Sequence, residues 1–195
     1  MKPLLLGILV CIVLSYSPFS YSQHFESSAF GASVFKYTSL KGQSALIIGG
    51  RGGWMINKSL VLGGGFYALA SNVNSGIVDP KSNQEVLLGL NYGGLEFEYI
   101  FLSEAVVHAS LDMLFAGGGV TFSVPNKNIP HTNYFSQDLL VWEPEVNLEL
   151  KIVKWFHLAA GVSYRIITSY GVNYGVSKDD LKGLNGVLTF KFGTY

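Results

Sequence analysis

Hydrophobic and polar positions alternate with a period of two along much of this chain. In the stretch WEPEVNLELKI, residues 142–152, every charged residue occupies an odd position and every large apolar residue an even one. A helix would scatter these charges around its circumference, whereas a strand collects them on one face because successive side chains point to opposite sides. The alternation recurs at 95–101, 107–115, 156–166 and 184–192. The pattern therefore predicts strands throughout.

The alternation and its interruptions predict eight strands and a regular order of connections. The predicted strands are 29–40, 43–56, 59–71, 84–102, 105–123, 138–153, 155–168 and 183–195. Tight turns at 57–58, 103–104 and 153–154 alternate with long polar loops at 72–83, 124–137 and 169–182, and only the short connection at 41–42 departs from this order. Several strands reach the ~9–11 residues that a tilted strand needs to cross a bilayer. These features predict an all-β fold, an eight-stranded antiparallel up-and-down transmembrane β-barrel.

The first 22 residues are predicted to be a signal peptide. Lys2 precedes an apolar run that ends at Leu14, and Ser20-Tyr21-Ser22 offers a small-x-small cleavage site. The run is shorter than the ~20 residues of a membrane-spanning helix. We therefore expect a cleaved signal at 1–22 and a barrel domain at 23–195. The only cysteine, Cys11, leaves with the signal, so the exported chain is expected to contain no disulfide.

The composition favours a surface that faces lipid. Charged residues make up 13% of the chain, against a usual ~25% in soluble domains, while aromatic residues make up 14%. The formal net charge is +0, which gives no electrostatic reason to expect nucleic-acid binding. We expect contact with outer-membrane lipid and no nucleic-acid partner.

The polar face of each strand is predicted to line the inside of the barrel. A lysine or arginine on the lipid side costs about 2–4 kcal/mol at the bilayer midplane, so the apolar face must meet the lipid. The interior of an eight-stranded barrel is just wide enough for its own side chains, and these are expected to plug it. The predicted lumenal network consists of Arg51, Glu96, Glu98, His108, Asp112, Glu143, Glu145, Glu149, Lys151, His157, Arg165 and Lys191.

Aromatic residues near the strand ends are predicted to form two interfacial girdles. One girdle contains Trp54, Tyr99, Phe101, Trp155, Phe156 and Tyr195, and the other contains Tyr67, Trp142 and Tyr164.

The signal sequence, the eight strands, the alternation of short turns with long loops and the aromatic residue that ends LTFKFGTY resemble the small outer-membrane barrels of the OmpA transmembrane-domain and OmpX kind. The resemblance covers the whole chain after the signal and depends on pattern, not on an invariant motif. It implies a location in the outer membrane of a Gram-negative envelope and a non-enzymatic role in structure or adhesion. We expect no cofactor.

Glycine clusters at 49–53, 63–65, 93–94 and 117–119 are interpreted as sites of curvature. A phosphate-binding loop would add a Lys-Ser/Thr pair and a following helix, which are not present here. The alternation changes phase across 93–94 and across 117–119, which predicts β-bulges at both places. Pro144 removes a backbone donor from a predicted strand, and a bulge is expected there as well.

One short motif, VHASLD, suggests hydrolysis. Lipid A deacylases of the outer membrane carry a comparable His-x-Ser pair, but they act from the outer face of the barrel. Here the alternation turns His108, Ser110 and Asp112 inward. No His-x-x-x-His spacing is present, so we expect neither catalysis nor a metal site.

The long loops are predicted to carry the function. The candidate binding surface, for an extracellular protein or a glycan, consists of Tyr134, Phe135, Tyr170 and Tyr174. Two alternatives remain open. An outer-membrane lipid-modifying enzyme would need an acid–base set at the lipid interface, and a soluble lipocalin-like carrier of an apolar ligand would place the polar faces outside.

Overall fold

A computed structural model of the chain describes residues 27–80, 83–124, 132–170 and 175–193, without the side chains of 132–136 and 169–170. The strands are β1 Ser27–Leu40, β2 Gln43–Ile56, β3 Leu60–Leu69, β4 Val73–Val78, β5 Glu85–Phe101, β6 Val107–Val124, β7 Thr132–Val153, β8 Phe156–Tyr170 and β9 Gly183–Gly193. A single helical turn, α1, covers Lys178–Leu181. None of the helical residues described forms a segment long and apolar enough to span a membrane. The predicted signal peptide, Cys11 and Tyr195 lie outside the described residues.

The strands form a closed barrel. Consecutive strands pair antiparallel except β3 and β4, β9 returns to pair with β1, and β3 pairs with β5. The short strand β4 pairs with β5 beyond the end of β3. The strands β3 and β4 therefore occupy one strand position of the barrel, with an interruption at 70–72. This confirms the predicted eight-stranded up-and-down barrel. It also shortens the predicted loop 72–83, because its first half continues a strand.

The connections define two ends of the barrel. The turns at 57–59, 102–106 and 154–155 lie at one end, called here the turn end, and the β4–β5 and β8–β9 connections lie at the other, the loop end. The tight turn at Asn57 and Lys58 has φ angles of 49° and 56°. Positive φ at both central residues is the requirement of a type I′ turn, whose twist matches that of the flanking strands.

Burial alternates along most of the strands, with most of their charged side chains inside and large apolar side chains covering the outer face. In β7, Leu148 is 65% exposed and its neighbour Glu149 is 1% exposed. Trp54, Tyr99 and Trp155 are exposed near the turn end, as predicted for a girdle. Tyr67 was wrongly assigned to the other girdle. It is fully buried inside the barrel, where its ring stacks on that of Tyr92 at 5.3 Å between centroids.

The predicted bulges at the glycine clusters are wrong. The β5–β6 pairing runs in one register from Leu87↔Ser123 to Phe101↔Ala109, across both 93–94 and 117–119. Register shifts lie instead in β4–β5 at 74–78, in β6–β7 at 122–123 and in β7–β8 at 140–141 and 151–153. Pro144 pairs with Met113 in the same register as its neighbours, so the bulge expected there is absent, although it has no partner on β8.

The interior is apolar at one end of the barrel and charged at the other, and this explains why the hydrophobic alternation changes phase in the sequence. In β5 the even positions point inward along the whole strand. Leu88 and Leu90 occupy them near the loop end, and Glu96 and Glu98 occupy them near the turn end. The interior therefore changes from apolar to charged along the barrel axis, and the alternation of hydrophobicity inverts without any bulge.

The glycines allow neighbouring backbones to approach closely. A Cβ atom on Gly94 would lie 2.0 Å from the carbonyl oxygen of Phe115, and one on Gly118 would lie 2.1 Å from that of Asn91. A Cβ atom on Gly117 would meet nothing within 4 Å. The tight coiling of a narrow barrel therefore depends on particular glycines and not on every member of a cluster.

Gly94→Val should destabilise the barrel strongly compared with Gly117→Val. The first side chain clashes with the backbone of β6, and overpacking of this kind typically costs about 1–3 kcal/mol. The second side chain enters open space on the outer face. The measurement is the urea midpoint of the refolded barrel in detergent, and equal shifts for the two variants would contradict the close approach of β5 and β6.

Candidate functional site: the charged interior of the barrel

An apolar layer fills the interior near the loop end. It is formed by buried side chains from the loop-end parts of the strands and from the β8–β9 connection, including Val73, Leu88, Val120, Leu139, Val176 and Leu181. Val176 and Leu181 are fully buried although they belong to a connection between strands. The described part of this connection, 175–182, therefore packs on the end of the barrel and adds to its core.

Hydrogen bonds hold the β8–β9 connection in place. The backbone N–H of Lys41, in the β1–β2 turn, donates to Asp180 O at 3.0 Å, and its ammonium donates to Gly175 O at 3.0 Å and to Ser75 O. From inside the barrel, the Arg165 Nε–H donates to Leu181 O at 2.7 Å. The connection is thus held by Lys41 at the loop end and by Arg165 from inside the barrel.

The helical turn α1 begins with a capping box. Ser177 N–H donates to Asp180 Oδ2 at 2.8 Å, and Asp180 N–H donates to Ser177 Oγ at 3.3 Å. The hydrogen bond from the Ser177 backbone lowers the pKa of Asp180. The carboxylate therefore stays charged and keeps the turn closed at neutral pH.

Below the apolar layer lies a first group of ionic contacts around Lys36. Its ammonium lies 2.8 Å from Glu143 Oε1 and 3.5 Å from Glu145 Oε2. Tyr92 donates to Glu143 Oε2 at 3.0 Å. Ser163 and Asn185 donate to Glu143 Oε1 at 2.5 and 3.0 Å. The Glu143 carboxylate is therefore surrounded by donors, as a buried charge requires.

A second group is centred on Arg51. Its guanidinium lies 3.2 Å from Asp112 Oδ1 and 3.1 Å from Glu145 Oε1. Asn147 donates to the same two carboxylates at 2.8 and 2.9 Å. Glu145 contacts both Lys36 and Arg51, so it joins the first group to the second.

A third group lies towards the turn end. The Lys191 ammonium bonds to Glu98 and to Glu149 Oε1, the latter at 2.5 Å. Glu149 Oε2 lies 3.4 Å from His108 Nε2 and 4.0 Å from His157 Nδ1. His108, Glu149 and His157 present ligand atoms within 4.8 Å of one another, which makes them candidates for holding a metal ion.

The structure places eleven of the twelve predicted lumenal residues in buried interior positions. Lys151 is the exception, since it is half-buried and its ammonium donates to Ser103 O at 2.5 Å in a turn-end connection. Arg165 is buried nearer the loop end, where its Nε–H donates to Leu181 O. Several further polar residues lie in the interior that were not among the predicted lumenal residues, namely Lys36, Tyr67, Tyr92, Asn147, Ser163 and Asn185.

Two other sets of candidate residues have different outcomes. His108, Ser110 and Asp112 are buried, and Ser110 donates to Asp112 Oδ2 at 3.2 Å, whereas His108 contacts Ala105 and Glu149. The His-x-Ser pair is therefore turned into the interior. In the candidate loop surface, Tyr174 and the side chains of Tyr134, Phe135 and Tyr170 lie outside the described residues.

No model of a protein family and no curated protein sequence matches the chain. Solved structures are similar in fold. Neisserial surface protein A has a TM-score of 0.60 at 12% identity, over 87% of this chain and 99% of its own. The N-terminal β-barrel domain of Pseudomonas aeruginosa OprF has a TM-score of 0.58 at 14% identity, over 87% of this chain and 99% of its own.

A third similar structure is Ail, the attachment invasion locus protein of Yersinia pestis, in complex with the heparin analogue sucrose octasulfate. It has a TM-score of 0.53 at 11% identity, over 89% of this chain and 100% of its own. At these identities the likeness shows the fold alone. It confirms the predicted resemblance to small outer-membrane β-barrels.

Proposed function

We propose that this protein is an integral outer-membrane barrel with a plugged lumen, which acts without catalysis through its structure or through a loop-end surface that binds a protein or a glycan. The observation that carries the proposal is the inverted distribution of side chains, with ion pairs enclosed by the sheet and large apolar residues on its outer face. A soluble lipocalin-like carrier would need the opposite arrangement.

The outer surface supports a location in a membrane. Exposed aliphatic and aromatic side chains come from all the long strands, among them Phe66, Leu95, Phe115, Leu148, Val162 and Leu184. In water, leaving apolar surface exposed forgoes roughly 25 cal/mol per Å². Soluble monomers rarely expose continuous apolar patches larger than a few hundred Å². Acyl chains are the solvent that such a surface suits.

Two layers support a closed lumen. The apolar layer and the β8–β9 connection cover the loop end, and the groups around Lys36, Arg51 and Lys191 occupy the space below. Ion permeation needs a continuous polar path, and the apolar layer interrupts it. The outer-membrane lipid-modifying alternative loses support because the His-x-Ser pair faces inward, away from lipid.

The loop end is the surface that remains for a partner. Ail, with the same fold, is named for attachment and was solved with a heparin analogue. The sequence predicts Tyr134, Phe135, Tyr170 and Tyr174 on loops; in the structure Tyr134 and Phe135 belong to the loop-end part of β7, Tyr170 is the last residue of β8, and Tyr174 belongs to the β8–β9 connection. Tyrosine side chains supply large, rigid contact area for recognition.

Membrane fractionation tests the proposal. The protein should be recovered in the outer-membrane fraction, migrate differently on a gel before and after boiling, and give no channel currents in a planar bilayer. Alanine replacement of Tyr134, Phe135, Tyr170 and Tyr174 should reduce binding to cells or glycan arrays. It should leave the gel shift unchanged. Recovery in the soluble periplasmic fraction would contradict the membrane location, and steady single-channel currents would contradict the plug.

A further inference from the structure

The group of ionic contacts nearest the turn end contains more carboxylates than lysine or arginine side chains. In the described strands six carboxylates are buried, Glu96, Glu98, Asp112, Glu143, Glu145 and Glu149, against four buried cations, Lys36, Arg51, Arg165 and Lys191. Locally, Glu98 and Glu149 share the single ammonium of Lys191. Buried charges require compensation, and a cation bound in this group would contribute to it.

The orientation of His108 points to the place of that cation. Its Nδ1 lies 3.2 Å from Ala105 O, a contact in which only the nitrogen can donate. In the neutral imidazole the proton is then on Nδ1, and Nε2 presents a lone pair to the interior. Metal-binding histidines commonly have this arrangement, with the second nitrogen donating to a backbone carbonyl.

The Nε2 atom of His108 faces a carboxylate oxygen, so that two hydrogen-bond acceptors lie side by side. Glu149 Oε2 is buried 3.4 Å away and receives no hydrogen bond from the described part of the chain, while Oε1 of the same carboxylate is bound to Lys191. His157 Nδ1 approaches Oε2 to 4.0 Å. Ligands about 2.0–2.1 Å from a tetrahedral ion lie about 3.4 Å from each other. The spacing of His108 and Glu149 therefore matches two ligands of one ion, and the His157 ring joins them by moving about 0.6 Å closer to Glu149 Oε2.

We propose that His108, Glu149 and His157 bind a Zn²⁺-type transition-metal ion at the turn end of the barrel. Two imidazoles and one carboxylate are a common zinc donor set, and Ca²⁺ or Mg²⁺ would prefer oxygen ligands alone. Both histidines also line a cavity of about 50 Å³ that is open towards the turn end and bordered by Ser103 and Lys151. A water molecule fits there and takes the fourth position.

The proposal depends on the fold and is independent of the binding role proposed for the loops. The test uses the exported chain without a polyhistidine tag, refolded in detergent, stripped with a chelator and titrated with Zn²⁺ by calorimetry. A single ion should bind. His108→Gln and His157→Gln should each weaken binding by more than the ~10–100-fold that loss of an outer-sphere partner costs.

Two control variants test the assignment. Glu96→Gln removes a buried carboxylate outside the group, which bonds to Tyr67, and His131→Gln removes a histidine from a loop; neither should change the affinity. Absence of binding, or binding that survives both His108→Gln and His157→Gln, would overturn the proposal. Should either variant fail to refold, X-ray absorption of the zinc-loaded wild type must still show two imidazole ligands, and spectra without them would overturn it equally.

Discussion

Replacing Leu148 by arginine should prevent most of the protein from assembling in the membrane. Leu148 is 65% exposed on the outer face of β7, five residues from the end of the strand at the turn end. An arginine at the midplane of a barrel costs about 2–4 kcal/mol, a large part of the stability of a small domain. The measurement is the fraction of heat-modifiable protein in outer membranes.

Ile152→Arg is the matched control. Ile152 lies on the same face of the same strand, next to its last residue at the turn end, and is also exposed. The cost of an arginine falls to about 0–1 kcal/mol near the interface, so this variant should assemble. Equal yields for Leu148→Arg and Ile152→Arg would show that β7 does not cross a bilayer at this depth.

Removing Lys36 should be the most damaging change inside the barrel. Lys36→Met leaves Glu143 without its cation and Glu145 with Arg51 alone. Breaking a buried ion pair on one side costs about 3–5 kcal/mol because an uncompensated charge remains. We expect a large fall in the urea midpoint of the refolded barrel, with restoration of most of it in Lys36→Met/Glu143→Gln, where both charges are gone.

The control removes the same charge from the surface. Lys58 pairs with Glu104 at 3.0 Å across two exposed turns. Exposed pairs contribute little to stability because solvent screens them. Lys58→Met should therefore leave the midpoint nearly unchanged. A double variant at Lys36 and Glu143 no more stable than Lys36→Met would contradict the pairing.

The strands could be predicted because lipid and lumen impose opposite demands on alternate residues. The clearest prediction was for residues 142–152, where Glu143, Glu145 and Glu149 are buried and Trp142 and Leu148 are exposed. Predicted and observed bounds mostly differ by a few residues at strand ends. The largest difference is at β7, which begins at Thr132 instead of 138, since polar residues there gave no alternation.

The interior near the loop end could not be predicted in the same way. Tyr67, Leu90 and Tyr92 point inward there, but their apolar character suggested the lipid side or a change of phase. The β8–β9 connection adds Val176 and Leu181 to this core, and sequence spacing carries no signal for such a long-range contact.

Lys36 was missed although a signal existed. Its neighbours Phe35 and Tyr37 are exposed on the outer face, so the alternation of β1 turns Lys36 inward. The convergence of His108, Glu149 and His157 had no counterpart in their sequence spacing, because the register of the adjacent strands β6, β7 and β8 brings them together.

The central claim is that acyl chains surround the apolar face and never reach the acidic one. Photolabelling of the unmodified barrel in vesicles, with a lipid that carries a diazirine along its acyl chain, tests it most directly. Peptide mass spectrometry should find the label on even positions of β7, such as Val146, Leu148 and Leu150. Label on Glu145 or Glu149, or no label along β7, would contradict the account.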